Sequence, residues 1–144
     1  MAYEVSVFLE NKIGHFERIT HILKENKINI RSMTLNDTSN GWGILDLLVN
    51  DPEKAHNVLS DRGISVALRE IIALEMKDVS GGLDDLLLKV SKAKVNFDNA
   101  YGRIIQENRS AILVIDVRDV EDSKKKLIEA GVKIMDDKKV YGTK

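Results

Sequence analysis

The chain contains an internal repeat, and this feature limits its possible folds more than any other. Residues 10–30 and residues 77–97 align without a gap at a spacing of 67 residues. Gly14 meets Gly81 in this alignment, and the apolar positions of the two segments coincide. Two unrelated apolar stretches would not keep such a register by chance. The sequence therefore predicts two copies of one folding unit.

The spacing between the copies changes by one residue in their second halves. Apolar residues at 45, 47 and 49 align with those at 113, 115 and 117, a spacing of 68 residues. One additional residue must enter the second copy between residues 102 and 110. We place it in a predicted turn at Gln106–Asn108, because a change of loop length costs little free energy.

Each copy has the pattern of a βαββαβ unit. Alternating apolar residues predict half-buried strands, and apolar residues at helical spacing predict the first helix. Asp51 and Pro52 are typical of a helix start, and Gly63 is typical of a helix end. The elements predicted for the first copy are a strand around Val5–Leu9, a helix from Phe16 to Asn26, strands at Ile28–Asn36 and Gly43–Val49, a helix from Pro52, and a strand around Ile64–Leu68.

The order of these elements predicts an α+β fold of two ferredoxin-like units in tandem, with the helices on one face of antiparallel sheets. We assign domain 1 to residues 1–69 and domain 2 to residues 70–144. A unit of this size has a small core, and only a residue or two joins the copies. We therefore expect the two domains to dock side by side.

Several apolar residues are predicted on the sheet face that points away from the helices. A solvated sheet face is usually more polar, so we expect a second chain to cover it and to form a homodimer. The residues assigned to this face are Phe8, Met33, Leu35, Trp42, Ile44, Asp46 and Leu48 in the first copy, and Ser110, Ile112, Val114 and Asp116 in the second.

The composition argues against several classes of protein. The formal net charge is -1, from 22 basic and 23 acidic residues, which gives no strong field for nucleic acid or an anionic membrane. No apolar run reaches the length of a membrane span, and the first residues lack the pattern of a signal peptide. The chain has no cysteine, so thiolate chemistry is excluded. A cytoplasmic protein without metal or cofactor is the expectation.

The chain resembles a pair of ACT domains over nearly its whole length. The signature is an Asn or Asp, then a Gly that opens the first helix, then a bulky apolar residue two places on. The matching residues are Asn11, Gly14 and Phe16 in the first copy and Asp78, Gly81 and Leu83 in the second. The resemblance implies a regulatory protein that binds a small amino acid where domains meet.

The chemistry of the loop before each first helix agrees with that implication. A helix N-terminus presents unpaired N–H groups and partial positive charge, which suit a carboxylate, and a glycine lets a ligand approach the backbone. The same residues also fit plain turns or helix caps, and both interpretations remain open. The predicted ligand contacts are Asn11, Lys12, Ile13, Gly14, His15, Phe16 and Asn29, together with Asp78, Val79, Ser80, Gly81, Gly82, Leu83 and Asn96.

The two loops differ, so we expect unequal sites. Ser80, Gly81 and Gly82 match the family pattern more closely than Ile13, Gly14 and His15, because a histidine narrows any pocket at that point. The second loop is the better candidate for ligand binding.

An enzyme and an RNA-binding protein are the rival interpretations. An acylphosphatase of this topology needs an arginine in its first loop, whereas Arg18 lies on the predicted helix, and the three histidines lack metal-ligand spacing. Phe8 and Trp42 are possible stacking residues in the first copy, but the second copy lacks equivalents. We therefore expect no catalytic activity. A regulatory subunit that acts through a metabolic enzyme, without its own ligand, is the alternative function.

Overall fold

The computed structural model describes residues 2–10, 12, 14–38 and 40–142 of the chain. These residues form six strands and five helices. In chain order the elements are β1 (Ala2–Glu10), α1 (His15–Glu25), β2 (Ile30–Asp37), β3 (Trp42–Val49), α2 (Pro52–Asp61), β4 (Ser65–Lys77), α3 (Gly82–Lys92), β5 (Asn99–Gln106), β6 (Ser110–Asp116), α4 (Val120–Glu129) and α5 (Asp137–Tyr141).

The chain divides into two compact units. The first unit comprises Tyr3–Arg69 together with Tyr141 and Gly142, and the second comprises Glu70–Val140 together with Ala2. Strand β4 runs without a break through the boundary, whereas the sequence predicted two strands joined by a residue or two. Tyr141 contacts the first unit through the Tyr3 N–H, which donates to the Tyr141 hydroxyl at 2.7 Å.

The first unit has an antiparallel sheet in the order β2-β3-β1. Val5 lies opposite Leu47 and Val7 opposite Leu45, and these four side chains face the helices. They form one core with residues of α1 and α2, because every second strand residue points to the same face. The buried residues of this core are Val5, Val7, Leu9, Ile19, Ile22, Leu23, Ile28, Leu45, Leu47, Val49, Ala55 and Leu59.

The second unit repeats this arrangement with strands in the order β4-β6-β5. Its core is built from the equivalent positions of the second copy. The buried residues are Ile72, Leu74, Leu86, Val90, Val95, Leu113, Ile115, Val117, Leu127 and Val132. The α+β fold of two ferredoxin-like units is therefore confirmed.

The last strand of the second copy is much shorter than that of the first. It consists of one antiparallel bridge between Leu74 and Ile134. The Glu75 N–H donates to the Lys133 carbonyl at 2.9 Å, and the Met135 N–H donates to the Ala73 carbonyl at 2.8 Å. The chain then turns into α5, which the sequence pattern did not predict.

The starts and ends of the second helix follow the sequence in both units. Asp51 accepts a hydrogen bond from the Lys54 N–H at 3.1 Å, and Asp119 accepts one from the Asp122 N–H at 3.1 Å. These are helix N-caps. Gly63 has φ of +75° just after α2, so the predicted helix end is confirmed.

The additional residue of the second copy lies in a strand rather than in the turn. Ile104 pairs with Ala111 and Gln106 with Ser110, so Ile105 is bulged out of the ladder between β5 and β6. The turn that follows matches its counterpart, because the Arg109 N–H donates to the Gln106 carbonyl as the Gly41 N–H donates to the Thr38 carbonyl. The predicted position at Gln106–Asn108 was wrong by one residue. A β-bulge absorbs an insertion without changing the turn.

Two residues assigned to the outward sheet face lie on the other face. Met33 pairs with Leu47 and Leu35 pairs with Leu45, and directly paired residues share a face. The cause is an irregularity in β2 between Ile30 and Ser32, which shifts the alternation by one residue. The predicted orientation of Met33 and Leu35 was therefore wrong.

Much of the remaining outward face is buried within the chain itself. Leu48, Ile112 and Val114 are 1%, 0% and 1% exposed. In the second unit α5 lies on this face, because the Arg103 guanidinium, which stands beside Ile112, donates to the Val140 carbonyl at 3.4 Å. In the first unit Phe8 and Trp42 remain 47% and 51% exposed. A smaller apolar surface is thus available to a second chain than the sequence suggested.

Candidate functional site

The loops before α1 and α3 have the same backbone geometry where both are described. Gly14 and Gly81 precede their helices with φ of +87° and +81°, a left-handed conformation that favours glycine. The Arg18 N–H donates to the Gly14 carbonyl at 3.0 Å, and the Asp85 N–H donates to the Gly81 carbonyl at 3.0 Å. No described atom lies within 4 Å of a Cβ built at either glycine. Backbone conformation therefore accounts for both residues.

Gly82 is the position where the second loop has no room for a side chain. A Cβ at this residue would lie 2.2 Å from the carbonyl oxygen of Lys77. Its counterpart in the first copy is His15, which is half-buried. The predicted difference between the loops therefore has a physical basis, because the end of β4 passes closer to the helix start in the second unit than a side chain allows.

Asp78 ties the second loop to the turn between β5 and β6. Its carboxylate accepts a hydrogen bond from the Asn108 N–H at 2.7 Å, and its own N–H donates to the Arg109 carbonyl at 3.2 Å. Among the described residues its side chain forms no cap of α3. One carboxylate oxygen is thus already engaged, and Asp78 positions the turn that borders the candidate site.

In the first loop, Lys12 is engaged by a neighbouring acid. Its ammonium lies 2.7 Å from the Glu10 carboxylate. This hydrogen-bonded pair lowers the pKa of Glu10 and raises the pKa of Lys12. The predicted contacts Asn11 and Ile13 lie outside the described residues.

A cavity of about 780 Å³ lies in the second unit beside the end of β4. Two of the predicted ligand residues, Val79 and Gly82, line it. Helix α3 contributes Asp85, Leu86 and Lys89, and the other side is formed by the segment from Gly131 to Met135 and by Lys139 of α5. Its volume lies in the range of small-molecule sites.

A second depression of about 240 Å³ borders the other side of the same loop. Asp78, Val79 and Leu83 line it, together with Gly102 and other residues of the adjacent strands. Val79 and Leu83 are 56% and 46% exposed. The predicted loop residues are thus divided between two neighbouring concave surfaces, and Ser80 and Gly81 line neither of the two.

Asn29 and Asn96 lie far from the loops of their own units. Each follows the C-terminal end of a helix of 11 residues whose N-terminus carries the loop, and a helix of that length spans about 16 Å. Asn29 lines a surface depression of about 410 Å³, and Asn96 lines one of about 360 Å³. The structure therefore does not bring these asparagines together with the glycine loops of their own units.

Of the seventeen described residues that line the large cavity, only Val79 and Gly82 were predicted from the sequence. Three of the missed residues lie where the two copies differ. Lys89 occupies the position that Ile22 holds in the first copy, where Ile22 is 2% exposed and belongs to the core. Ile105 is the bulged residue, and Lys133 belongs to the shortened last strand. The mismatch between Ile22 and Lys89, and the change of spacing, were visible in the repeat. They marked the place where the copies differ.

Comparisons with known proteins agree with this architecture. A family model described as an ACT domain pair matches residues 1–143. The crystal structure of protein BT0572 from Bacteroides thetaiotaomicron is similar, with a TM-score of 0.88 and 27% identity over 97% of this chain and 95% of that chain.

Aspartate kinase subunits share the fold at lower sequence identity. The ligand-free regulatory subunit from Thermus thermophilus has a TM-score of 0.64 and 11% identity, over 89% of this chain and 91% of that chain. A structure of aspartokinase alpha and beta subunits has a TM-score of 0.60 and 15% identity, over 90% of this chain and 91% of that chain. Comparison with curated proteins gave no significant match.

In residues 2–10, 12, 14–38 and 40–142, no helix is long and apolar enough to cross a membrane. The same part of the chain contains no group of three or more histidine, cysteine or acidic side chains placed to hold a metal ion.

Proposed function

Because the chain belongs to the ACT domain pair family, we propose that it is a non-catalytic regulatory protein that binds a small amino acid in its second unit. The observation that carries this proposal is the cavity of about 780 Å³ beside the loop that holds the family signature. The predicted contacts Val79 and Gly82 both line that cavity.

The walls of the cavity suit a small zwitterion. Met76, Leu86 and Val132 offer apolar surface for a side chain, and polar groups at the rim offer partners for the ammonium and carboxylate. Ligand sites commonly combine apolar walls with a few charged groups in this way. Two acids, Asp84 and Asp85, lie in the first turn of α3. They offset the positive end of the helix dipole, so we assign the carboxylate to side chains rather than to the helix terminus.

A thermal-shift screen of the twenty amino acids tests this proposal. A ligand at tenfold its Kd stabilises the folded chain by about 1.4 kcal/mol through mass action, which raises Tm by several degrees. At least one amino acid should do so at millimolar concentration. If none raises Tm, the proposal is wrong.

A substitution taken from the first copy locates the ligand. Ser110 lines the cavity, and Trp42 occupies the equivalent position of the first unit. Ser110→Trp should fill part of the cavity and remove the thermal shift. Ser91→Trp, on an exposed position of α3 away from the cavity, is the matched control and should keep it. Equal shifts in the wild type and in Ser110→Trp would place the ligand elsewhere.

The alternative function is that of a regulatory subunit of a metabolic enzyme, with or without a ligand. The supporting observation is the shared fold with a protein described as the regulatory subunit of aspartate kinase. Affinity purification from the native cell should then enrich one metabolic enzyme, and adding the purified chain should change that enzyme's turnover. Enrichment without a change in turnover would count against this role.

A homodimer through the sheet faces remains a prediction. The surface that would carry it is Phe8 and Trp42, which are 47% and 51% exposed, with Ile44 beside them. Sedimentation should show a dimer at micromolar concentration, and Trp42→Glu should convert it to a monomer. Leu88→Glu, at a position 52% exposed on α3, is the control. Monomer alone in the wild type would exclude this assembly. A cytoplasmic location and a ligand site at a domain interface likewise stay predictions.

A further inference from the structure

We propose that the second-unit cavity selects ligands with a net negative charge, such as a dicarboxylic amino acid, over neutral and cationic ones. The inference rests on the proposed ligand-binding role of the second unit and specifies the chemical class of the ligand.

Cationic side chains dominate the rim of this cavity. Five of them line it, against two acids, Glu75 and Asp85, which leaves an excess of three positive charges. The five are Lys77, Lys89, Arg109, Lys133 and Lys139. The whole chain has a formal net charge of -1, so this excess is a local feature. A concave site lined by one sign of charge concentrates ligands of the opposite sign.

The protein leaves these charges available to a ligand. Within the described ranges, none of the five cations forms an ion pair of 4.0 Å or less. Elsewhere in the chain, lysines do form ion pairs with carboxylates. Lys126 lies 2.9 Å from Asp122, and Lys12 lies 2.7 Å from Glu10. The two acids of the cavity therefore do not neutralise its cations by direct contact.

The first unit indicates that the fold does not need these cations. Four of the five have counterparts in the first copy, and none of the counterparts is basic. Lys77, Lys89, Arg109 and Lys133 correspond to Glu10, Ile22, Gly41 and Ser65. Since the same topology forms with acidic, apolar and small residues at these positions, a structural requirement does not explain the charges. The proposed binding of an anion explains them.

The floor of the cavity is apolar. Leu86 and Val132 are 5% and 6% exposed and Met135 is 8% exposed, and the bulge places Ile105 at the same cavity. A ligand with a short carbon chain would bury that chain here and keep its charged ends at the rim. This combination favours an organic anion over an inorganic one.

Four probes of similar size separate the possible outcomes. L-glutamate and L-glutamine have nearly the same shape and differ in one charge, 2-oxoglutarate keeps both carboxylates but lacks the amine, and L-lysine carries a second cation. Binding is measured on the full chain by calorimetry at low ionic strength. Salt should weaken glutamate binding, because the rim is exposed to solvent.

The proposal predicts that L-glutamate binds at least tenfold more tightly than L-glutamine or L-lysine. Tighter binding of L-glutamine or L-lysine would overturn the charge selection and leave amino-acid binding intact. Binding of 2-oxoglutarate alone would support the charge selection and refute the amino-acid role. No binding by any of the four would overturn the charge selection, and the twenty-amino-acid screen would then decide the proposed function separately.

Substitutions to first-copy residues test whether the cavity cations are responsible. Lys89→Ile combined with Lys133→Ser should weaken L-glutamate binding about threefold to tenfold, from the usual strength of exposed charge pairs. Lys54→Ser combined with Lys125→Ser removes the same charge at exposed positions outside the cavity and should leave the affinity within twofold. Equal losses in both double variants would attribute the effect to net charge and overturn the proposal.

Discussion

The two units of this chain share one backbone plan, and several differences between them cluster around the cavity of the second unit. In the first unit, Ile22 of α1 is buried in the core. In the second unit, the equivalent Lys89 lies at the rim of a cavity, the last strand is reduced to the bridge at Ile134, and Ile105 is bulged out of β5. Three departures from the repeat therefore coincide in one place. A repeated fold shows which residues the architecture requires, and this cluster of differences lies at the proposed binding site.

A second difference lies on the outward sheet faces. In the first unit the Ser6 hydroxyl donates to the Asp46 carboxylate at 2.5 Å, and both residues are buried. Ala73 and Val114 form the equivalent pair in the second unit, also buried. The same position in the sheet is thus filled by a polar pair in one unit and by an apolar pair in the other. Such exchanges are tolerated when both partners change together.

The largest expected effect concerns the cores of the two units, which should respond equally to the same substitution. Leu59 and Leu127 are equivalent and each is 0% exposed. Leu59→Ala and Leu127→Ala should each lower the free energy of unfolding by about 2–5 kcal/mol, because each leaves a cavity in a packed core. Urea unfolding followed by circular dichroism measures the loss. Ile128→Ala, at a neighbouring residue that is 63% exposed, is the control. If either leucine variant loses as little stability as this control, the two leucines are not equivalent core positions.

The next effect tests the loops. Gly82→Ala should lower the free energy of unfolding by about 1–3 kcal/mol, because its Cβ meets the Lys77 carbonyl and the backbone must move. His15→Ala changes the equivalent residue of the first loop, which already carries a side chain, and should cost about 0.5 kcal/mol or less. Chemical unfolding of both variants provides the measurement. Similar values for the two would mean that the loops do not differ in this respect.

The polar pair of the first unit allows a double-mutant cycle. Asp46→Val alone should cost about 1–3 kcal/mol, since it leaves the buried Ser6 hydroxyl without its acceptor. Ser6→Ala together with Asp46→Val installs the pair of the second unit and should recover most of that loss. Strict additivity of the two single variants in urea unfolding would contradict the equivalence of the two arrangements.

The smallest effect concerns pH and is specific to the first loop. Lys12 lowers the pKa of Glu10 from its ordinary value of 4.5. The stability that the ionised Glu10 carboxylate contributes is therefore fully present above pH 4.5 and is lost as the pH falls through the folded pKa. The pKa of Lys12 is raised above 10.5, so the stability that its charged ammonium contributes is lost as the pH rises through the folded pKa. Tm of the wild type should slightly exceed that of Glu10→Gln near pH 7, and the difference should shrink as the pH falls below 4.5. A constant difference at all pH values would exclude the pair as the cause.

The sequence predicted the topology and the helix caps well, because those depend on local patterns. Asp51, Pro52 and Gly63 determine a helix start and end through their own chemistry. The change of spacing predicted an insertion, but the pattern does not distinguish a longer turn from a bulge. The orientation of Met33 was wrong because one irregular residue pair in β2 reverses every following side chain.

The candidate site was only partly predictable. Family likeness pointed to the loop at Gly81 and Gly82, and Gly82 does line the cavity. The other wall comes from the segment around Val132 and Met135, which reaches the loop through pairing with β4. Such long-range contacts leave no local pattern. The sequence did carry two signals for this region: Lys89 of α3, an exposed charge where the first copy has a core isoleucine, and the change of spacing that produces the bulge at Ile105.

The most direct test of the account is to map amide shifts by two-dimensional NMR of the ¹⁵N-labelled chain titrated with L-glutamate. We predict saturable shifts that cluster at Val79, Gly82, Lys89, Ile105 and Lys133, with little change at their counterparts in the first unit. Shifts centred on His15, Phe16 and Ile22, or no saturable shift at any residue, would contradict it.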